Sequence, residues 1–179
     1  QWYPRLQYVQ DRPVVQWLVV PVRASWLKEF FEVRMVVQNL TTGFTFAHGV
    51  ANLPLPAGLS LAPTSSPQQA SQDVPNIPGG ESRTVTWLVR GDVEGSYHLT
   101  ADYSGLVEPV DEPVWLHAEA AEPLKVLGGS ALSMTVNADR HATRWGPYAI
   151  EVVLRNTSDV PVYNAAIEYD AAFLLGRAM

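Results

Sequence analysis

The stretch WLVRGDVEGSYHLTADYSG contains the tripeptide Arg90-Gly91-Asp92, which integrins recognise on exposed loops. There a guanidinium and a carboxylate are displayed to a partner protein. The alternative is a turn, in which glycine supplies a positive φ and aspartate accepts hydrogen bonds from nearby backbone N–H groups. Gly91 and Gly95 flank the predicted reversal of the chain. We therefore favour the turn and keep integrin binding as the alternative hypothesis.

Six tryptophans are many for 179 residues, and exposed indoles can stack against sugar rings. Trp17 and Trp87 lie in alternating segments, where we assign them to faces directed at the core. Trp2, Trp26 and Trp145 are less clearly inward. Trp26 and Trp145 are therefore candidate carbohydrate-binding residues, with burial in the core as the alternative.

Two sequons occur, Asn39-Leu40-Thr41 and Asn156-Thr157-Ser158. The Asn-x-Ser/Thr pattern permits N-glycosylation. Asparagine at the end of a strand also bonds the backbone of the turn that follows it. We favour the turn at both positions.

Metal and catalytic chemistry have weaker support. Calcium at a domain junction needs several converging oxygens. Five carboxylates crowd one region, Glu108, Asp111, Glu112, Glu119 and Glu122, although neighbouring prolines favour an extended, solvated segment. The histidines lack the spacing of metal ligands and no nucleophile elbow or phosphate-binding loop is present. We therefore predict no enzyme activity, no cofactor and no metal.

Composition narrows the class of protein further. The net charge of −6 argues against a nucleic-acid partner, which calls for a basic surface. The absence of cysteine excludes disulfides and thiolate metal sites. No apolar run approaches the roughly 18 residues of a membrane helix, so we expect no membrane span.

The elements that must position these residues are strands. Val85, Trp87 and Val89 alternate with polar residues, and a second alternation places Tyr97, Leu99, Ala101 and Tyr103 on one inner face. A third places Ile150, Val152 and Leu154 together. Proline and glycine clusters separate these segments. The pattern predicts an all-β sandwich, with residues 63–80 as a long surface connection that contains at most an edge strand.

The chain also repeats itself. At a shift of 117 residues the apolar pattern matches without a gap over about 50 residues. The matches pair Val15 with Leu132, Trp17 with Met134 and Asn39 with Asn156. The repeat predicts one domain over residues 6–122 and a second, incomplete copy over 123–179. The second copy would leave an apolar face uncovered, so we expect either a longer protein or strands supplied by another chain.

The segments FEVRMVVQNLTTGFTFAHGVANLPLPAGLSL and IPGGESRTVTWLVRGDVEGSYHLTADYSG resemble the two halves of bacterial immunoglobulin-like modules of large exported proteins. Similar sandwiches occur in fibronectin-type and appendage-like domains. The resemblance covers roughly residues 31–107. It implies an immunoglobulin-like β-sandwich that spaces, presents or binds outside the cell or at its surface.

Together these observations predict a non-catalytic structural or adhesive module of a bacterial surface or secreted protein. Its partners would be neighbouring repeats of the same longer chain and a host or cell-surface protein or glycan. The alternative is a carbohydrate-binding or accessory module of a larger secreted enzyme. A third possibility is a subunit completed by a neighbour's strand.

Overall fold

The computed structural model describes residues 5–9, 12–141, 146 and 148–169, with the backbone alone for residues 5–9 and 12–17. The contacts divide the chain into two compact units, Gln1–Gly128 and Gly129–Met179. No helix in the described part of the chain is long and apolar enough to cross a membrane.

The described residues form fourteen strands and one short 3-10 helix. The first seven strands are β1 (Arg5–Val9), β2 (Arg12–Val19), β3 (Ala24–Trp26), β4 (Phe30–Asn39), β5 (Thr45–Asn52), β6 (Leu59–Leu61) and β7 (Ser71–Val74). The next five are β8 (Ser82–Gly91), β9 (Gly95–Tyr97), β10 (Thr100–Glu108), β11 (Glu112–Glu119) and β12 (Leu124–Leu127). The 3-10 helix Gly129–Ala131 precedes β13 (Leu132–Ala138) and β14 (Ile150–Asn156). The all-β prediction is confirmed.

The first unit is an immunoglobulin-like sandwich. One sheet has the order β1-β2-β4-β8-β6 and the other the order β11-β10-β5-β7. The strands β2, β4 and β8 have the A-B-E order of immunoglobulin-like domains, and the strands β11, β10 and β5 have their G-F-C order. The strand β6 pairs with β8 in the first sheet, and β7 pairs with β5 in the second. The neighbouring strands within each of these sheets pair antiparallel.

A single apolar core joins the two sheets. The first sheet contributes Leu18, Phe31, Val33, Met35, Val37, Val85, Trp87 and Val89. The second contributes Phe46, Ala51, Ala101, Tyr103, Val107, Val114, Leu116 and Ala118, and Leu99 joins the core from the residue before β10. In β4, β8 and β11 every second residue is inward, as the alternation at Val85, Trp87 and Val89 predicts for β8. Tyr97, predicted to be inward, is half-buried and packs against the rim of the core.

The inner face of β2 is fixed by its register with β4. The register places Leu18 opposite Met35, and Leu18 is 2 % exposed. Trp17, which we assigned to the core, pairs through its backbone with Val36. Its side chain lies outside the described residues. The register and the burial of Leu18 place this residue on the inner face of β2, which an apolar strand without polar alternation does not indicate from its sequence.

The end of the first unit also differs from the predicted boundary at residue 122. β12 pairs parallel with β3 and antiparallel with β9, and it forms a third, three-stranded sheet with them. Leu124 and Val126 are both 2 % exposed and belong to the core cluster. The segment 123–128 therefore belongs to the first compact unit.

A bulge interrupts β5. His48 and Gly49 stand against the single residue Gly105, because the register shifts between Ser104 and Leu106. His48 adopts φ 52°, and a Cβ on Gly49 would lie 2.7 Å from the Tyr103 hydroxyl. The bulge thus lets the Tyr103 ring lie directly against the backbone. Burial raises the pKa of Tyr103 to about 12.

The connection predicted over residues 63–80 is ordered by side-chain amides. Gln68 accepts a hydrogen bond from the Leu88 N–H at 2.8 Å and donates one to the Leu88 carbonyl at 3.1 Å. The Trp87 indole N–H donates to the carbonyls of Gln69 and Ala70 at 3.2 and 3.1 Å. The connection also contributes β7, so the expected edge strand is present. The Gln68 side chain thus makes the hydrogen bonds to the β8 backbone at Leu88 that a neighbouring strand would otherwise make.

The second unit is described as one antiparallel pair, β13 and β14. Met134 and Val136 share a face with Val152 and Leu154 through the register. Met134 is 62 % and Val136 55 % exposed. At the 117-residue shift, Val152 and Leu154 correspond to Met35 and Val37, which the second sheet buries in the first unit. Leu132 lies opposite Asn156, whereas Val14 lies opposite Asn39. The register of β13 with β14 is therefore shifted by one residue relative to the register of β2 with β4.

The same asparagine turn ends β4 and β14. Asn39 donates to the carbonyls of Phe44 and Ile77 at 3.0 and 2.9 Å, and its Oδ1 accepts from the N–H and hydroxyl of Thr41. Asn156 donates to the Val160 carbonyl and accepts from the N–H and hydroxyl of Ser158. The turn interpretation of both sequons is thus supported. Asn39 is 0 % exposed, with both amide hydrogens and its oxygen engaged.

We expect Asn39→Ala to lower the free energy of unfolding of the first unit by about 3 kcal/mol, because it leaves buried carbonyls and N–H groups without partners. Urea unfolding followed by tryptophan fluorescence measures the change. Asn156→Ala, at the exposed counterpart, is the matched control and leaves this transition in place. A loss below about 0.5 kcal/mol for Asn39→Ala would contradict the structural role of this side chain.

Candidate functional site

The structure places the tripeptide Arg90-Gly91-Asp92 where β8 leaves the first sheet. β8 ends at Gly91, and β9 begins at Gly95 but pairs with β12. The two strands are therefore not partners, and the interpretation of this segment as the reversal of a strand pair was wrong. The chain crosses here from one sheet to another, which the local alternation does not reveal.

The charged side chains of the tripeptide bond to each other. Arg90 Nε and Lys28 Nζ both donate to Oδ1 of Asp92, each at 2.9 Å. The Asp92 N–H donates to the Gly58 carbonyl at 2.8 Å. The Ser60 hydroxyl, Lys28 and Arg90 lower the pKa of Asp92 to about 2, although desolvation acts in the opposite direction. The carboxylate is thus held within the protein's own network.

Gly91 is required for close packing. The glycines with positive φ in the described chain are Gly43, Gly58 and Gly80, so the expected turn glycines Gly91 and Gly95 do not act through φ. A Cβ on Gly91 would lie 2.7 and 2.9 Å from the two methyl groups of Val126. Gly91 therefore lets β12 approach the end of β8.

Of the two predicted tryptophan sites, Trp26 lies among the described residues. Trp26 ends β3, where it is half-buried, and its backbone N–H donates to the Glu29 carboxylate at 2.9 Å. Trp145 and Trp2 lie outside the described residues. A carbohydrate site at Trp26 and Trp145 stays a prediction, and so does integrin recognition at Arg90, Gly91 and Asp92.

The carboxylates considered for calcium are spread over the first unit. Glu108 and Glu112 lie at one end of the β10–β11 hairpin, and Glu119 lies at the other, opposite Thr100. Glu122 forms an ion pair with Arg23 at 3.1 Å. Within the part of the chain that the structure describes, no three His, Asp or Glu side chains converge as metal ligands would.

A different cluster lies on the outer face of the second sheet. Trp115 is 64 % exposed, and its ring stacks on His117 with centroids 5.9 Å apart and planes at 17°. His117 Nδ1 lies 2.6 Å from Asp102 Oδ1 on the neighbouring strand, and its Nε2 lies 3.5 Å from Glu119. We call Trp115, His117 and Asp102 the indole cluster. It joins an exposed aromatic face to fixed polar groups.

The sequence holds a signal for this cluster that we did not use. Val114, Leu116 and Ala118 alternate with Trp115, His117 and Glu119 along β11. The small and apolar set is buried, so the other set must face outward. Pairing with Asp102 could not be foreseen, since it depends on the register between β10 and β11.

Comparison with known proteins finds similarity among solved structures and none among sequences. No protein-family model matches the chain, and no curated protein sequence matches it. The structure is similar to the crystal structure of native alpha-2-macroglobulin from Escherichia coli, spanning domain MG7 to the C-terminus, with a TM-score of 0.48 and 19 % identity. The similarity covers 72 % of this chain and 18 % of that one. The fold assignment therefore depends on the strand order and core described above.

We expect Gly91→Ala to lower the free energy of unfolding by about 1–3 kcal/mol, because the new methyl group overlaps the side chain of Val126. Thermal or urea unfolding measures the loss. Gly129→Ala is the matched control, since a Cβ there has no atom within 4 Å. Equal stability of Gly91→Ala and the parent chain would contradict the close approach of β12.

The stabilising effect of Asp92 is expected to depend on pH. Its folded-state pKa of about 2 lies below the ordinary value of 3.8, so the ionised form stabilises the fold above pH 4 and this contribution is lost as pH falls towards 2. Asp92→Asn should therefore lower the melting temperature at pH 7, and the difference from the parent should shrink at pH 2–3. Asp73→Asn, at an exposed carboxylate on β7, is the control. A difference between the parent and Asp92→Asn that is constant with pH would contradict the ionic network.

Proposed function

We propose that the chain is a non-catalytic structural and adhesive part of a larger bacterial surface or secreted protein, built from tandem immunoglobulin-like modules. The observation that carries this proposal is the recurrence of one turn in both units. Asn39 with Thr41, and Asn156 with Ser158, make the same hydrogen bonds at a separation of 117 residues. A shared local device at the period of the sequence repeat favours repeated modules of one design.

The construction of the first unit suits a spacer. Its core is contributed by both sheets, and its long connection is fixed to β8 through Gln68 and Trp87. Such a module can be repeated without changing its neighbours, and its loops and sheet faces remain available for contacts. Its proposed partners are neighbouring repeats of the same longer chain, and a protein or glycan of a host or cell surface. Its proposed location is outside the cell or at its surface.

Carbohydrate binding, on its own or as an accessory to an enzyme, is the second candidate. The specific observation in its favour is the exposed indole of Trp115, fixed by His117. Integrin recognition has less support, because Asp92 is already bonded to Lys28 and Arg90 and would have to leave both.

The module proposal predicts that residues 1–128 fold alone. We expect one cooperative urea transition, with a slope of about 1–3 kcal/mol/M, at the midpoint of the corresponding transition of the full chain. A chain ending at residue 122 is the matched control. It lacks β12, and the loss of buried Leu124 and Val126 should lower its stability by about 3 kcal/mol or more.

A non-cooperative transition for residues 1–128 would overturn the module proposal. Equal stability of the two truncated chains would instead place the end of the module at residue 122.

A further inference from the structure

We propose that the indole cluster is a binding site for neutral saccharides, in which Trp115 stacks against a sugar ring and polar groups of β10 and β5 bind its hydroxyls. The proposal names a ligand class for the adhesive role proposed above, and it rests on that role. Its residues are other than Trp26 and Trp145, at which a carbohydrate site was expected from the sequence.

The first step is the exposure of Trp115. The side chain is 64 % exposed in the middle of a strand whose neighbours Val114 and Leu116 are buried. It has no inward alternative, because the inner face of β11 is filled by those neighbours. An aromatic ring that stays exposed in the middle of the edge strand β11 presents a flat apolar face on which a sugar ring can stack.

The second step is that the ring is held in place. Trp115 stacks on His117, and His117 is fixed in turn by its 2.6 Å contact with Asp102. Binding to a surface that is already ordered loses less side-chain entropy than binding to a mobile one. The contact between His117 and Asp102 therefore acts as a positioning interaction for the indole.

The third step is the arrangement of polar groups beside the ring. Ser104 lies opposite Trp115, and Asp102 lies between His117 and Asn52. Asn52 in turn bonds the hydroxyl of Ser71 at 2.9 Å. Neighbouring strands are about 4.8 Å apart, so these donors and acceptors extend about 10 Å across the sheet from the indole. Saccharide sites combine such an apolar platform with a few placed hydrogen-bonding groups.

The fourth step is charge. The carboxylates of Asp102 and Glu119 both flank His117, and the whole chain carries a net charge of −6. This surface repels uronates, sialic acids and sulfated sugars, whereas neutral sugars bear no such penalty. The predicted ligand is therefore a neutral pyranose or a short neutral oligosaccharide.

The test uses the full chain on an array of neutral oligosaccharides of glucose, galactose, mannose and N-acetylglucosamine, beside uronate and sialylated sugars. Hits are titrated by calorimetry. We expect binding to neutral sugars alone, weakened at least about tenfold by Trp115→Ala and less by Trp115→Phe, which keeps an aromatic face. Asp102→Asn should weaken it as well. Val93→Ala, an exposed apolar residue of the β8–β9 connection, is the control and leaves binding unchanged.

Several outcomes would overturn the proposal. These are the absence of binding to any neutral sugar by a folded chain, a preference for anionic sugars, and binding that survives Trp115→Ala but is lost on Trp26→Phe. Binding to a surface protein that depends on Trp115, without sugar binding, would also overturn it by assigning the cluster to a protein partner. None of these results changes the expected folding of residues 1–128, so failure of the saccharide site and failure of the module proposal are distinguishable.

Discussion

The fold depends on burying Trp87 together with its single polar atom. The indole is 0 % exposed at the centre of β8, between the two sheets. A buried N–H without an acceptor would oppose this burial, so the carbonyls of Gln69 and Ala70 must reach it. That requirement draws the long connection onto the open side of β8, where Gln68 bonds Leu88. Trp87 thereby fills the core, and the connection that it holds covers the open side of β8.

The close packing around this core explains the corner that carries the adhesion-like tripeptide. β12 must lie against the end of β8 for Leu124 and Val126 to be buried, and only glycine at position 91 leaves room. Arg90 and Asp92 then fall beside Lys28, whose N–H donates to the Gly91 carbonyl at 2.8 Å. Packing accounts for the glycine, and the ionic network accounts for its two charged neighbours.

The sequence predicted those features that depend on neighbouring residues. Alternation identified Val85, Trp87 and Val89 as inward, and a position at the end of a strand identified Asn39 and Asn156 as turn residues. The sequence did not predict features that depend on residues far apart in the chain. The face of β2 depends on its pairing with β4, and the role of Gly91 depends on Val126, 35 positions along the chain. The indole cluster combines both kinds of information, since the outward position of Trp115 is local and its link to Asp102 depends on strand register.

The two units show the same difference between features made by neighbouring residues and features made by distant ones. Their asparagine turns share the hydrogen bonds that the Asn Oδ1 accepts, because these bonds come from a residue two positions along the chain. The burial of the strands beside these turns differs between the two units, because it depends on contacts with a second sheet. Met35 and Val37 in β4 are buried by a second sheet formed from later parts of the chain. Met134 and Val136 share a face with the counterparts of these two residues, and both remain more than half exposed. Local turn chemistry therefore repeats wherever the sequence repeats, whereas a closed core requires both sheets of the sandwich.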